Sequence, residues 1–374
     1  MGLGLLYNLP VRRPYIDLAR GLAVLVMIEA HTLDAWTRPA DHSTLAFRNL
    51  TVLGGFAAPL FLWLAGTALV LSAERGVRRT GSRRASALAV VQRGLEIFIL
   101  AFLFRLQAFI VSPGSSVLTL FRVDILNVMG PAIVAAGLLW GLVENRAALT
   151  LAYAASATAV AMLTPVVRSV RWVDALPIGL QWYVRPSGEF TTFTSFPWAG
   201  FLFAGGALGA LIAVARDDRS ERRLQVAAAA AGTGLIGLGL YLAALPTIYR
   251  SSSFWTSSPT YFAIRVGVMM LALAVIYALS AAADRARITL GPLEKLGRSS
   301  LFVYWIHVEL VYGYAAWPIR HRLTLWQAAA AYAIFCALMY GAVLARDRVV
   351  DRWRARRSAR PSARAGNEAS AQTA

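Results

Sequence analysis

Residues 51–73 of this chain read TVLGGFAAPLFLWLAGTALVLSA and contain no charged side chain. A helix needs about 20 predominantly apolar residues to cross the hydrocarbon core of a bilayer, so this stretch predicts a membrane-spanning helix. Similar apolar runs fill residues 85–110, 226–245 and 261–282. Because one or two such runs would only anchor a protein, their repetition predicts that membrane helices make up the fold.

The composition of the whole chain agrees with this interpretation. Apolar residues make up 58% of the 374 residues and charged residues only 15%, whereas a soluble domain has about 25% charged residues. We therefore predict an all-α, polytopic bundle that forms a single transmembrane domain over residues 1–345. About ten helices are expected, near residues 15–31, 51–73, 87–111, 123–143, 147–167, 195–215, 224–245, 261–282, 299–317 and 325–345.

The basic residues predict the orientation of this bundle. The net charge is +18, and 36 of the 37 basic residues are arginines. They cluster at Arg12 and Arg13; at Arg75, Arg78, Arg79, Arg83 and Arg84; at Arg216, Arg219, Arg222 and Arg223; at Arg285, Arg287 and Lys295; and after Arg346. If both termini are cytoplasmic, every cluster lies on the cytoplasmic face, as the positive-inside rule requires. We expect a multi-pass protein of the inner (plasma) membrane, with lipid and not nucleic acid explaining the charge.

The end of the chain differs from the rest. Residues 346–374 are rich in Arg, Ala and Ser and have no apolar period, so we predict a disordered cytoplasmic tail attracted to anionic lipid head groups. The chain has no ligand spacing typical of zinc or calcium and no glycine pattern typical of nucleotide binding. We expect no metal site and no ATP-driven or redox chemistry.

One stripe of the first helix carries polar side chains. Residues Asp17, Arg20, Val24, Met27, His31 and Asp34 follow a 3, 4, 3, 4, 3 spacing, which places them in one arc about 100° wide. A charge near the bilayer centre costs about 2.5 to 3.5 kcal/mol on insertion scales, so such residues are functional candidates. The stripe would place an acid and an arginine at the cytoplasmic end and a histidine at the outer end, about 21 Å away.

The residues alone leave the roles along this stripe open. Asp17 and Arg20 form either an i, i+3 ion pair or a contact with an anionic ligand. His31 is either a helix-end histidine hydrogen-bonded to Asp34 or a general base whose tautomer Asp34 fixes. His42 in the first outer loop is a second candidate base.

Polar residues of other helices are fewer. His307 lies near mid-depth in the ninth predicted helix, where it needs a polar partner such as the stripe of the first helix. We expect Glu309 to point the other way from His307, and Glu29, Glu96 and Arg105 to form structural pairs between helices.

Six separated segments resemble one family. Residues 16–36, IDLARGLAVLVMIEAHTLDAW, resemble the opening motif of the membrane acetyltransferases related to heparan-α-glucosaminide N-acetyltransferase. Later motifs of that family resemble, in order, FAAPLFLWLAGTAL at 56–69, FRVDILNVMG at 121–130, FPWAGFLFAGGALG at 196–209, SPTYFAIRVG at 258–267 and LGRSSLFVYWIHVELVYG at 296–313.

This resemblance implies an acetyl transfer across the membrane. Acetyl-CoA would bind from the cytoplasm as the acyl donor, and a sugar-containing acceptor would receive the acetyl group outside, on an amine or a hydroxyl. The implied donor site comprises Asp17, Arg20, Arg298 and Ser299. The implied catalytic residues are His31 or His42 as the base, Asp34 as its orienting group and His307 in the thioester channel, with His42 matching by distance the loop histidine of the heparan enzyme. Direct transfer and an acyl-histidine intermediate are both open.

A transporter or flippase is the rival interpretation. In such a protein the same stripe would line a transport path and the histidines would relay protons. The chain shows no internal repeat of the kind many transporters have, so this interpretation ranks second. A homo-oligomer is left open.

Overall fold

The computed structural model describes residues 13–111 and 116–371, with side chains up to residue 356. Over these ranges the chain forms thirteen α-helices and no β-strand, apart from isolated bridges that join Thr37 to Leu323 and Val123 to Thr191. The helices are α1 Pro14–Trp36, α2 Leu45–Gly54, α3 Ala57–Thr80, α4 Arg83–Val111, α5 Ile125–Leu142, α6 Arg146–Ser169, α7 Ile178–Val184, α8 Ser195–Val214, α9 Asp218–Ala243, α10 Pro259–Arg285, α11 Gly291–Arg298, α12 Ser300–Tyr312 and α13 Leu325–Ala371.

Several helices are preceded by a residue whose side chain accepts a hydrogen bond from a free backbone N–H of the first turn. The side chains of Asn145 and Ser258 accept hydrogen bonds from the first turns of α6 and α10. Asp124 and Asp217 go further and form reciprocal capping boxes at the starts of α5 and α9. Such caps stabilise a helix by about 1 kcal/mol each and fix the residue at which it starts.

Eight helical segments of the described chain are long and apolar enough to cross a membrane. They are α2 with α3, α4, α5, α6, α8, α9, α10 and the first part of α13. The fold is therefore an all-helical, polytopic membrane bundle, as predicted. α1 has 23 residues but carries several charges, and α12 has only 13 residues. The predicted count of ten spans and the predicted orientation stay predictions.

Two of the predicted helices have different bounds in the structure. The segment predicted as one helix over 51–73 is interrupted, because α2 ends at Gly54 and α3 begins at Ala57. A Cβ on Gly54 would lie 2.8 Å from the Cβ of Ala30, so the glycine before the break lets the chain pack closely against α1. The helix predicted over 299–317 is also wrong at its far end, since α12 stops at Tyr312.

Glycines bring the main helices into backbone contact. A Cβ on Gly66 of α3 would lie 1.9 Å from the carbonyl oxygen of Leu202 on α8. A Cβ on Gly21 of α1 would lie 2.1 Å from the carbonyl oxygen of Leu293 on α11, and Gly297 of α11 is equally close to α1. Small residues permit such close packing between membrane helices. The contact fixes α1 beside α11, and hence beside α12, which follows directly.

Three of the arginine clusters lie at one end of the bundle. Arg13, before α1, pairs with Glu221 near the start of α9 at 2.7 Å, and Arg146 at the start of α6 pairs with Glu74 near the end of α3 at 3.1 Å. We call this the basic end, and the end where α1 finishes at Trp36 the opposite end. These pairs bring the clusters around Arg13, Arg75 and Arg216 to the same end; the grouping of the other clusters stays a prediction, and Arg12 lies outside the described residues.

The last helix extends further than expected. α13 continues to Ala371, through the segment after residue 346 for which we predicted disorder. Alanine and arginine are both good helix formers, which explains why this composition is compatible with a helix. The domain boundary at residue 346 stays a prediction.

Candidate active site

A cavity of about 1150 Å³ runs inside the bundle, with walls from α1, α3, α4, α5 and α12. Its lining includes Arg20 and Arg298 toward the basic end, and Asp34, Arg122 and Arg320 toward the opposite end. Arg20 and Asp34 are 14 residues apart on α1, which corresponds to about 21 Å along the helix axis. The cavity therefore extends through most of the depth of the bundle.

Two histidines meet within this depth. Nδ1 of His31 lies 2.9 Å from Nε2 of His307, and Nδ1 of His307 lies 2.9 Å from the carbonyl oxygen of Val303. A carbonyl oxygen only accepts, so Nδ1 of His307 carries a proton and its Nε2 accepts the hydrogen bond from His31. This pattern assigns the tautomers and leaves Nε2 of His31 with a free lone pair. His31 lines the cavity, while His307 is fully buried behind it.

The surroundings of His31 differ from the predicted arrangement. Asp34 was expected to orient the imidazole, but its Oδ2 accepts a hydrogen bond from the Tyr312 hydroxyl at 3.0 Å. The hydrogen-bonding partner of His31 is His307 instead, and the Tyr312 ring lies edge-on to His31 at 5.7 Å between centroids. Asp34 and Asp124 both lie close enough to act on His31 electrostatically.

Asp124 is a site residue that sequence reasoning missed. Its carboxylate caps α5 by accepting from the amide of Ile125 at 3.0 Å, and it forms an ion pair with Arg105 of α4. Asp124 and Arg105 both line the cavity. The signals were present in FRVD at 121–124, which belongs to a segment that resembles a family motif, and in the capping pattern of Asp124 and Asn127.

Arg122 lies beside this pair in the loop before α5. Its Nη2 donates to the Thr192 hydroxyl at 2.9 Å. Burial, and then repulsion from Arg105, lowers the pKa of the Arg122 guanidinium from its ordinary value. A cation that is incompletely solvated in this way attracts an electron-rich ligand at the opposite end.

The basic half of the cavity has a different charge distribution. Four arginines line it, namely Arg20, Arg79, Arg93 and Arg298, and within the described chain no carboxylate lines this half. Glu294 and Glu96 pair with Arg298 and Arg93 from outside the cavity wall. This half therefore presents a positive field suited to an anionic ligand.

The structure separates the predicted site residues into two groups. His31, Asp34, Arg20 and Arg298 line the cavity, whereas Asp17, Ser299, His42 and His307 do not. Asp17 acts on Arg20 electrostatically, and the Ser299 hydroxyl accepts from Arg346 at 2.9 Å.

His42 lies away from the histidine pair. It stacks on Phe47 at 4.3 Å between centroids, and its Nε2 is 3.2 Å from the carbonyl oxygen of Thr37.

Some of the remaining predicted charges also need correction. Glu309 lines the cavity whereas His307 does not, which agrees with the prediction that the two side chains point different ways from α12. Glu96 pairs with Arg93 of its own helix, not with another helix. Arg105 does pair between helices, with Asp124. Glu29 is buried, and neither of its carboxyl oxygens has a hydrogen-bonding partner in the described part of the chain.

A half-buried histidine with a free lone pair, in a charged cavity inside a multi-pass bundle, is typical of a membrane-embedded enzyme that removes a proton from its substrate. Residues 12–246 match the family model described as heparan-alpha-glucosaminide N-acetyltransferase, catalytic. This match covers more than half of the chain, and the chain belongs to that family of transmembrane acetyltransferases. No curated protein matches the chain. The resemblance seen in the sequence is confirmed, although α12 with His307 lies beyond the matched residues.

Proposed function

We propose that this protein transfers an acetyl group from acetyl-CoA, bound at the basic end of the cavity, to an amino sugar or a sugar hydroxyl that enters from the opposite end. By the positive-inside rule the basic end faces the cytoplasm, where acetyl-CoA is available. The acceptor is then acetylated on the far side of the inner (plasma) membrane. The observation that carries this proposal is the position of His31 between two halves of one cavity.

The donor half fits the chemistry of coenzyme A. Its phosphates would pair with Arg20, Arg79 and Arg298, since guanidinium groups form strong charge-assisted hydrogen bonds with phosphate oxygens. The cavity exceeds the 300 to 1,000 Å³ or so of common ligand pockets, which suits a long donor together with an acceptor. The thin pantetheine arm would carry the thioester toward His31.

The reaction itself needs one base. Nε2 of His31 takes the proton from the acceptor nitrogen or oxygen as that atom bonds to the acetyl carbon. The carbon–sulfur bond then breaks, and the electron pair leaves with the sulfur of coenzyme A. His307 acts as a positioning residue, because it accepts the Nδ1–H of His31 and so holds Nε2 toward the cavity.

The experiment uses the full-length protein, purified in detergent, with radiolabelled acetyl-CoA and glucosamine as the probe acceptor. We expect acetyl-CoA to bind and labelled acetylglucosamine to form. Absence of acetyl-CoA binding would overturn the proposal. Movement of labelled sugar across vesicles, without acetylation, would favour the rival transporter.

A replacement of His307 separates its positioning role from a general packing role. Gln at 307 keeps a hydrogen-bond acceptor for Nδ1 of His31, whereas leucine removes it. We expect H307Q to retain more of kcat than H307L while both bind acetyl-CoA normally. Equal loss in the two variants would contradict the positioning role.

A further inference from the structure

Tyr304 lines the cavity on the same helix as His307, one turn closer to the basic end. The two residues are three positions apart, which corresponds to about 4.5 Å along the axis. The Tyr304 ring lies 5.9 Å from the His307 ring and 5.8 Å from the Phe104 ring, as measured between centroids. A ligand that reaches His31 from the basic end passes Tyr304 first.

The Tyr304 hydroxyl makes no hydrogen bond within the described part of the chain. Three other tyrosines of this bundle use theirs: Tyr15 donates to Glu221, Tyr153 to the carbonyl oxygen of Ala136 at 2.7 Å, and Tyr312 to Asp34 at 3.0 Å. Tyr304 is half-buried and lines the cavity, and a polar group without a partner there gains from a hydrogen bond to a bound ligand. Tyr304 therefore offers a spare donor to a bound ligand.

We propose that the Tyr304 hydroxyl donates a hydrogen bond to the carbonyl oxygen of the acetyl thioester and stabilises the oxyanion that forms there. The inference rests on the proposed function. If the thioester carbonyl lies between Tyr304 and His31, the Tyr304 hydroxyl can donate a hydrogen bond to its oxygen from one side. The base, His31, then acts from the other side. Tyr304 is then a catalytic residue that was not singled out from the sequence, although it lies within the segment 296–313.

The bonds and charges balance with Tyr304 in this role. As the acceptor atom bonds to the acetyl carbon, the carbonyl π electrons move onto oxygen and the acceptor proton moves to Nε2 of His31. Collapse of the oxyanion restores the carbonyl and expels the sulfur of coenzyme A with its electron pair. Tyr304 keeps its proton throughout, since it only donates a hydrogen bond.

The charges near the hydroxyl are compatible with an oxyanion. Arg105, Arg122 and Asp124 lie within electrostatic range of the Tyr304 oxygen. Because Asp124 is ion-paired with Arg105, its negative charge is largely compensated. The remaining guanidinium of Arg122 favours negative charge in this region.

The test compares Y304F with Y340F, which removes a hydroxyl from α13 outside the cavity lining. Loss of a single oxyanion donor typically costs about 10² to 10³ in kcat, so we expect a decrease of about that size for Y304F. The Kd for acetyl-CoA, measured by calorimetry, should stay unchanged. Y340F should behave as the wild type.

A third variant carries 3-fluorotyrosine at position 304 and keeps the donor in place. We expect this protein to retain most of the wild-type kcat. Its kcat can be measured even if Y304F does not fold. Wild-type kcat in Y304F, or loss of kcat in the fluorotyrosine protein, would overturn the role of Tyr304 while acetyl transfer by the wild type stands. Failure of the wild type to transfer acetyl would instead overturn the proposed function and this inference with it.

Discussion

The two halves of the cavity contrast in how their charges are balanced. The basic half is lined by four arginines, two of them paired with Glu294 and Glu96 from outside the wall, and, among the described residues, by no carboxylate. In the opposite half, three arginines face three carboxylates: Arg105, Arg122 and Arg320 against Asp34, Asp124 and Glu309. An unbalanced field favours an anion, whereas a balanced one favours a polar ligand that accepts and donates hydrogen bonds. The difference suits a phosphate-bearing donor on one side and a sugar on the other.

The largest effect should come from the histidine where the two halves meet. Replacing His31 by alanine removes the base and should lower kcat by about 10² to 10⁴, the usual contribution of general base catalysis. Acetyl-CoA binding should survive, because the arginines of the basic half are untouched. The measurement is transfer of labelled acetyl to glucosamine.

The matched control for His31 is His42, which stacks on Phe47 outside the cavity. H42A should keep nearly full activity. The reverse result, with H42A inactive and H31A active, would move the catalytic base to the outer loop.

The unbalanced charge of the basic half is tested by R79Q. Arg79 lines the cavity, while its neighbour Arg78 does not. A hydrogen bond to a charged group contributes about 1.5 to 3 kcal/mol when well formed, so R79Q should raise the Kd for acetyl-CoA about tenfold. R78Q removes the same charge from outside the cavity lining and serves as the control. If both variants raised the Kd for acetyl-CoA equally, the net charge of this end and not a contact of Arg79 would determine binding.

A smaller effect is expected from the balanced half. E309Q removes a carboxylate that faces the acceptor side and should raise the KM for glucosamine about three- to tenfold, as for one lost polar contact. The KM for acetyl-CoA should not change. E144Q, an exposed substitution outside the cavity lining, serves as the control. If E309Q changed only the KM for acetyl-CoA, the assignment of the two halves would be wrong.

The smallest effect concerns stability at the opposite end. The amide of Leu325 donates to Asp41 Oδ2 at 2.9 Å, and this bond, together with that from Arg38, holds the pKa of Asp41 below its ordinary value. A lowered pKa stabilises the fold above the ordinary carboxyl pKa of about 3.9, and the contribution is lost as pH falls through the lower folded value. D41N should therefore melt slightly below the wild type at pH 6, as followed by Tm in detergent. The gap should narrow as the pH falls below about 3.9; a gap that stayed constant would contradict this linkage.

The sequence predicted the helix faces better than it predicted their partners. The period of α1 identified Arg20, Met27, His31 and Asp34, all of which line the cavity. The expectation that His307 has a polar partner on this stripe is confirmed, but the sequence did not show that the partner is His31, since the two residues are 276 positions apart. The pairing follows from the close approach of α1 and α11 at Gly21 and Gly297, and a single sequence does not reveal which helix a glycine faces.

Local patterns misled the prediction where tertiary contacts decided the outcome. Hydropathy gave one helix over 51–73 because it does not register the break after Gly54. Glu309 was correctly assigned to a face away from His307, but the sequence did not show that this face lines the cavity. Asp124 was not singled out from the sequence, and its ion pair with Arg105 depends on the packing of α4 against α5.

The glycine contacts of α1 also leave no room for a side chain where two helices cross. A Cβ on Gly21 or Gly297 would meet backbone atoms of the neighbouring helix, and the same holds for Gly94 and Gly130 between α4 and α5. The two pairs of helices are linked through α12, whose Trp305 donates a hydrogen bond of 2.6 Å to Gln107 of α4. A side chain at any of these four glycines would therefore displace one of the helices around the cavity.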